Sequence, residues 1–354
     1  TRSDLVTGVQ TCALPICNMK TLLKKLHSGA YLTSPEAEHA VTAILDGGAS
    51  PAQIGAFLMG LSQRGETVDE IVSAARVIRA RATTISAPPH AVDCCGTGGD
   101  HSGSYNISTA VAFVLAACGL PVAKHGNRAA SSQSGAADVL EHLGVNLALS
   151  PADCQTALAR FGFCFLMAPQ FHAALKPLAA LRKELGFRTL FNLIGPLANP
   201  AGTSRQLVGV FDKDWVRPMA EALQHLGSSA ALVVHGSDGL DEITLTGATH
   251  CARLKEGEIT TYTLTPDDFG LSPVTPADLA GGDAAYNATA LLSLLRGTPS
   301  AYRDIVLANA AATLELCGVA QNLKHGVTLA ATAIDTGAAY HVLQSYLDFS
   351  NGGA

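Results

Sequence analysis

The sequence predicts an α/β fold: a small N-terminal helical domain, then a larger α/β domain on a mostly parallel central sheet. Three observations carry this. From Met19 to about Thr84 the apolar residues recur at helical spacing behind three capping boxes. From Ala91 onward, short apolar runs of strand length alternate with helical patterns. Between the two regimes stands Pro88-Pro89, a linker signal. The chain has 354 residues, 48% hydrophobic and 15% charged, which is enough apolar material for one large or two unequal domains.

The elements follow in order. Thr1 to Asn18 shows neither a helical period nor the three-part layout of a signal peptide, so 1–18 reads as a non-native or disordered leader with Met19 as the start. In 19–88, Thr33 precedes Glu36, Ser50 precedes Gln53 with Pro51 at the first helical position, and Thr67 precedes Glu70. Each box opens an amphipathic run: Ala37 to Leu45, Ile54 to Leu61 and Ile71 to Ile78. In 89–354 the strand candidates are Ala91 to Cys95, Val122 to Lys124, Phe163 to Met167, Gln206 to Phe211 and Ala230 to His235. Helices are expected from Ser108-Thr109, Ser134, Ser150-Pro151, Phe171 and Asp214, and again through Asp283 to Phe349.

Charge and cysteine usage narrow the function. A net charge of −6 with 23 Lys and Arg offers no basic stripe, so no nucleic-acid partner is expected. No apolar run reaches the length of a membrane span, so no membrane partner is expected either. Nine scattered cysteines without a C-x-x-C pair point to a reducing cytoplasm and not to a disulfide framework.

The chemistry is concentrated between the first two strands. Gly96-Thr97-Gly98-Gly99-Asp100 follows the first strand and leads to Asn106-Ile107-Ser108-Thr109 at a helix start. Such a loop presents free backbone N–H groups and the positive end of a helix dipole, the environment a phosphate needs. Taken alone it serves equally as a tight turn, and its spacing fits neither G-x-G-x-x-G nor the P-loop. After the second strand come Lys124, His125, Asn127 and Arg128, then Ser131 and Ser132, on the same sheet edge if the strands are parallel. A third feature is Asp241-Glu242, with Asp238 and Gly239 before it. As a dipeptide in a loop it reads as solvated surface or as oxygen ligands for Mg²⁺. Finally, Arg188 can grip a carboxylate at two points or cap the helix ending near Leu185; Arg182 and Lys183 read as caps.

Gly96 to Asp100, Asn106 to Thr109, Lys124 to Arg128, the run Phe187-Arg-Thr-Leu-Phe-Asn-Leu-Ile-Gly-Pro-Leu-Ala-Asn-Pro200 and Asp238 to Glu242 together resemble the anthranilate phosphoribosyltransferase family. They stand in that family's order across nearly the whole chain from Met19. The resemblance implies a nucleoside phosphorylase/phosphoribosyltransferase-like fold in which a segment near 173–198 returns to the helical domain. It implies transfer of the 5-phosphoribosyl group from phosphoribosyl pyrophosphate to anthranilate, a step of tryptophan biosynthesis, by a homodimer associating through the helical domain.

By the same resemblance, phosphoribosyl pyrophosphate is held by Gly96, Thr97, Gly98, Gly99, Asp100, Asn106, Ser108, Thr109, Lys124 and Ser132. Two Mg²⁺ ions sit on Asp241 and Glu242 with Ser108 close by. Anthranilate contacts Gly96, His125, Asn127, His172 and Arg188, with His125 as a proton acceptor. Two other functions are kept: a pyrimidine nucleoside phosphorylase, and a catalytically inactive relative that binds nucleic acid.

Overall fold

The computed structural model describes residues 18–100, 102–129 and 133–353. Seven strands form one sheet: β1 (Val92–Gly96), β2 (Val122–Gly126), β3 (Phe163–Met167), β4 (Arg205–Gly209), β5 (Ala230–Gly236), β6 (Thr249–Lys255) and β7 (Glu258–Leu264). Their order is β3-β2-β1-β4-β5-β6-β7. The first five are parallel, and β6 and β7 extend the sheet as an antiparallel hairpin. The five parallel strands lie at the predicted places. The hairpin was not anticipated, because Thr249 to Leu264 mixes Thr, Arg, Lys and Glu on an edge that faces water and lacks the apolar run of a buried strand.

All three capping boxes form. The Glu36 carboxylate accepts from the Thr33 N–H at 2.8 Å, the Gln53 side-chain oxygen from Ser50 at 2.9 Å and the Glu70 carboxylate from Thr67 at 2.9 Å. They start the helices Ser34–Leu45, Pro51–Arg64 and Val68–Ala80. A further helix, Met19–His27, precedes them, and Asn18 caps it through a 3.0 Å bond from the Thr21 N–H. Asn18 therefore stands with the fold, whereas 1–17 lie outside the described residues. Helix starts expected at Ser134 and Asp214 begin slightly later, at Ala136 and, after a 3₁₀ turn, Val216. The helix expected from Phe171 is broken into short turns, and a regular helix runs only over Leu178–Leu185.

Two apolar cores lie on opposite faces of the sheet, following the period-two alternation of β4 and β5. Leu207, Leu232 and Val234 join one core, with the helices Ile107–Ala117, Ala301–Leu316 and Ala338–Ser350. Val208, Ala231 and Val233 join the other, with the helix Val216–His225 and the whole helical bundle. Leu178, Leu190, Phe191 and Leu193 belong to that second core, so 173–198 packs with the bundle.

The bundle is pinned by one buried ion pair. Glu70 accepts from Arg64 at 2.5 Å, with side chains 1% and 10% exposed respectively, and its other oxygen accepts from the Leu32 N–H at 2.9 Å. Breaking such a pair strands a buried charge. Glu70→Ala is expected to cost about 3–5 kcal/mol, read as a lower denaturant midpoint, with the midpoint of an Arg217→Ala surface-pair control shifting far less.

Candidate active site

The strand order reverses between β2-β1 and β4-β5, so the carboxyl ends of β1 and β4 flank a crevice where ligands bind in open α/β sheets. Gly96 and Gly209 are paired in register at those ends. The loop after β5 lies directly over them. A Cβ on Gly209 would stand 1.5 Å from the Asp241 carbonyl oxygen, and one on Gly96 would stand 2.1 Å from the Asp241 carboxylate. Two strands thus end in glycine because a third strand's loop occupies the space a side chain needs. Gly98 and Gly99 take φ of +66° and +76°, a left-handed turn, and the Gly98 N–H donates to Asp241 Oδ2 at 2.9 Å.

This geometry gathers the glycine loop, the second loop and the acidic pair around one cleft of about 350 Å³. Gly96, Thr97, Gly98, Gly99, Asp100, Asn106, Ser108, Lys124, His125 and Asn127 line it, with Asp241 and Glu242. Thr109 does not: it is 1% exposed, on the buried side of the same first helix turn whose Ser108 lines the cleft. Ser132 lies outside the described residues. His172 is buried behind the wall, its ring edge-on to His125 at a centroid separation of 5.1 Å.

Lys124 is 1% exposed, an unusual place for an ammonium. It donates to the Cys94 carbonyl at 2.6 Å and to Ser108 Oγ at 3.1 Å. Burial raises Glu242 to about 7; the Lys124 charge opposes this, Asp100 adds to it, and a bond from the Ser108 backbone opposes it. Asp241 is pushed well above the carboxylate range by burial, then by Asp100 and Glu242. Asp100 Oδ2 is buried with no hydrogen-bond partner. Three carboxylates that repel one another, one with an unpaired buried oxygen, make an electrostatic setting that a hard cation would relieve. Among the described residues no three His, Cys, Asp or Glu side chains converge on a single point. Mg²⁺ takes one or two carboxylates and completes its shell with water and substrate phosphate.

His125 Nδ1 is 3.1 Å from the Gly195 carbonyl, which can only accept, so Nδ1 carries the hydrogen and buried Nε2 is an unpaired acceptor. Burial, then His172, lowers His125 to about 3. Burial also lowers His172, whose ring nitrogens make no hydrogen bond of good geometry although the Ala198 backbone lies close enough to oppose the shift. Arg188 is not part of the cleft wall as expected. Its guanidinium donates to the Gly99 carbonyl and stacks 4.4 Å from the Phe211 ring centroid, at the rim of the glycine loop.

Three contributors were missed from sequence. Arg182, read there as a helix cap, is in the cleft wall, its guanidinium 5.7 Å from the Phe191 ring centroid; burial lowers it. No local pattern distinguishes it from Lys183. Asn287 donates to Asn106 Oδ1 and to Ser134 Oγ, both at 2.9 Å, across 181 and 153 residues of sequence. Asp93 had a signal, a carboxylate inside an apolar strand run; it accepts from Asn199 Nδ2 at 2.7 Å and from the His125 N–H at 3.3 Å.

A glycine-lined anion cradle, a buried lysine and an acidic pair at the switch point, beneath a helical bundle, define a transferase of the two-domain glycosyl type. Residues 20–82 match the glycosyl transferase family, helical bundle domain, and 88–340 match its a/b domain. Anthranilate phosphoribosyltransferase of Rhodopseudomonas palustris is 53% identical over 334 residues, covering 94% of this chain and 98% of the relative. Among solved structures, anthranilate phosphoribosyltransferase of Thermus thermophilus superposes with TM-score 0.88 at 42% identity, over 93% of this chain and 99% of that one. The Saccharomyces cerevisiae enzyme in complex with PRPP and Mg superposes with TM-score 0.87 at 28% identity, over 94% and 98%. The chain belongs to the anthranilate phosphoribosyltransferase family.

Two outcomes test this geometry. Gly209→Ala is expected to remove activity and lower Tm by several degrees, because a backbone carbonyl cannot rotate aside as a side chain does; full activity with unchanged Tm would contradict the close approach. For His125, the unfolded value is about 6.5 and the folded value is about 3, so the unfolded chain binds the extra proton first. Stability from this group is complete above pH 6.5 and is lost as pH falls toward 3. His125→Asn is expected to flatten that part of the acid-unfolding curve; a curve of unchanged slope would sink the assignment.

Proposed function

We infer that this chain transfers the 5-phosphoribosyl group of phosphoribosyl pyrophosphate to the amine of anthranilate, releasing pyrophosphate. The carrying observation is the Asp241 loop seated on Gly96 and Gly209, which places acidic groups beside a backbone anion cradle. Cleavage at the anomeric carbon leaves an oxocarbenium-like centre and a highly charged leaving group, so catalysis is mostly positioning and charge stabilisation.

The roles follow from place. Gly96 to Gly99 shape the floor of the pyrophosphate cradle, with the Thr97 N–H donating to the Gly209 carbonyl and the Gly98 N–H to Asp241, and Lys124 supplies a fixed positive charge behind Ser108. Asp241 and Glu242, with Ser108 adjacent, would hold two Mg²⁺ ions, which neutralise charge on the departing pyrophosphate when bound. Asn106 is held for the phosphoribosyl group by Asn287 and Ser134; Asp100, Thr109 and Ser132 complete the assignment, Thr109 through packing of the helix turn. His125 lines the cleft where the anthranilate amine is assigned. Lowered to about 3 by burial, its imidazole stays neutral, and the proton lost as the C–N bond forms leaves with the released pyrophosphate, the stronger base. Asn127 and His172 border this region, and Arg188 and Arg182 are the cations available to the carboxylate.

The protein is further read as a cytoplasmic homodimer through its helical domain. In support, the cysteines among the described residues are all thiols, and Tyr31 and Met59 of the bundle are 59% and 49% exposed. Among the described residues no helix is long and apolar enough to cross a membrane.

The direct test follows anthranilate fluorescence with phosphoribosyl pyrophosphate and Mg²⁺. No consumption, with turnover of a pyrimidine nucleoside and phosphate instead, would overturn the reading in favour of a phosphorylase. Arg188→Ala is expected to raise KM for anthranilate about tenfold to a hundredfold, the worth of a charge-assisted bond pair. Because Arg188 also holds the Gly99 carbonyl, KM for phosphoribosyl pyrophosphate rises too, but less. Lys124→Ala is expected to show the reverse order. Equal loss for both substrates with a lowered Tm in Arg188→Ala would make that arginine a structural brace.

A further inference from the structure

We infer that Asn309 is a positioning residue for the acidic pair: its carboxamide clamps both backbone groups of Ile243 and so sets where Glu242 and Asp241 stand toward a divalent cation. This rests on the reading of Asp241 and Glu242 as metal-holding groups. Asn309 lies in the middle of the helix Ala301–Leu316 and is 0% exposed. Asparagine is a poor choice for a helix interior, and a buried amide is tolerated only when its polar atoms are paired. Here they are paired to the loop. Asn309 Oδ1 accepts from the Ile243 N–H at 3.0 Å, and Nδ2 donates to the Ile243 carbonyl at 2.9 Å and to the Ile305 carbonyl at 2.9 Å. The two bonds to Ile243 reproduce the exchange between directly paired residues of an antiparallel ladder. A side chain takes the place of a strand.

The rest of the loop's bracing does a different job. Asp238 accepts from the hydroxyls of Thr244 at 2.7 Å and Thr246 at 2.6 Å, and Ser237 N–H donates to the Ala248 carbonyl at 2.8 Å. These bonds close the loop on itself without fixing it to the helix layer. Asn309 attaches it to that layer at the residue after Glu242, one peptide unit away, so displacement of Ile243 passes directly to the carboxylate. The same helix packs on Ile107–Ala117, which carries Ser108, the backbone donor to Glu242. Asn309 therefore refers the acidic pair and Ser108 to one frame.

The test uses the full chain with phosphoribosyl pyrophosphate, no anthranilate, and Mn²⁺ followed by electron paramagnetic resonance. Asn309→Asp and Asn309→Ser are expected to weaken Mn²⁺ binding about tenfold to a hundredfold, the range for groups that orient metal ligands. Half-maximal activity is expected to need correspondingly more Mg²⁺, with KM for anthranilate unchanged. Asn309→Ser, smaller and uncharged, carries the test if Asn309→Asp does not fold. The structural control is Thr313→Val, which removes a 2.9 Å bond to the Asn309 carbonyl in the same buried helix; it is expected to lower Tm without moving the Mn²⁺ affinity. Unchanged Mn²⁺ binding in the Asn309 variants, or an equal shift in Thr313→Val, overturns the inference alone. Wild-type protein that binds no Mn²⁺ overturns the metal reading and this inference together.

Discussion

The contact on which the rest of the structure depends is a loop lying across two strand ends. The Asp241 backbone passes so close to Gly209 that no Cβ fits between them, and its carboxylate fills the place of a Cβ on Gly96 while accepting from the Gly98 N–H. This fixes the acidic pair relative to the glycine loop to within the tolerance of van der Waals contact. It also explains why β1 and β4 end in glycine in register, and why the loop after β1 turns left-handed at Gly98 and Gly99. A pyrophosphate site needs its cation holders and its backbone donors on opposite sides of one group, and the close approach sets that span.

Around this contact the protein places ionisable groups where burial opposes their charged forms. Lys124, Asp93 and Glu242 are buried and Asp241 is half-buried, and the carboxylates are all shifted upward first by burial. The metal-free protein thus carries an electrostatic cost at its active site. A cation and an anionic substrate relieve it only when bound, and groups already desolvated and oriented need little rearrangement when charge develops on the leaving group.

The helical bundle is joined to this chemistry through the segment that returns to it. Arg79, in the bundle, donates to the Leu197 carbonyl at 2.5 Å; Gly195 accepts from His125; Asn199 donates to Asp93. Within five residues the segment touches the bundle and two adjacent strands. Its apolar side chains continue the bundle's core onto one face of the sheet. One wall of the cleft accordingly includes Phe191, which packs in the bundle's core, with Arg182 against its ring, and the other is built from sheet loops.

Local physics was enough for much of this. Thr33, Ser50 and Thr67 with their partners three residues on are complete helix signals within one turn, and each is realised. The five parallel strands read as apolar runs because both their faces are covered, whereas the β6–β7 hairpin, half in water, has no such pattern. The glycine loop, Lys124, His125 and the acidic pair were legible because runs of unusual residue types survive in the one-dimensional order. What only the tertiary structure decided is which side chains meet. Arg182 enters the cleft while Arg188 turns to Gly99; Thr109 faces the core one position after Ser108 faces the site; Asn287 joins the segments that follow two neighbouring strands. Each depends on contacts between segments far apart in the chain. Helix and strand periods place a residue on a face, but only packing decides what that face meets.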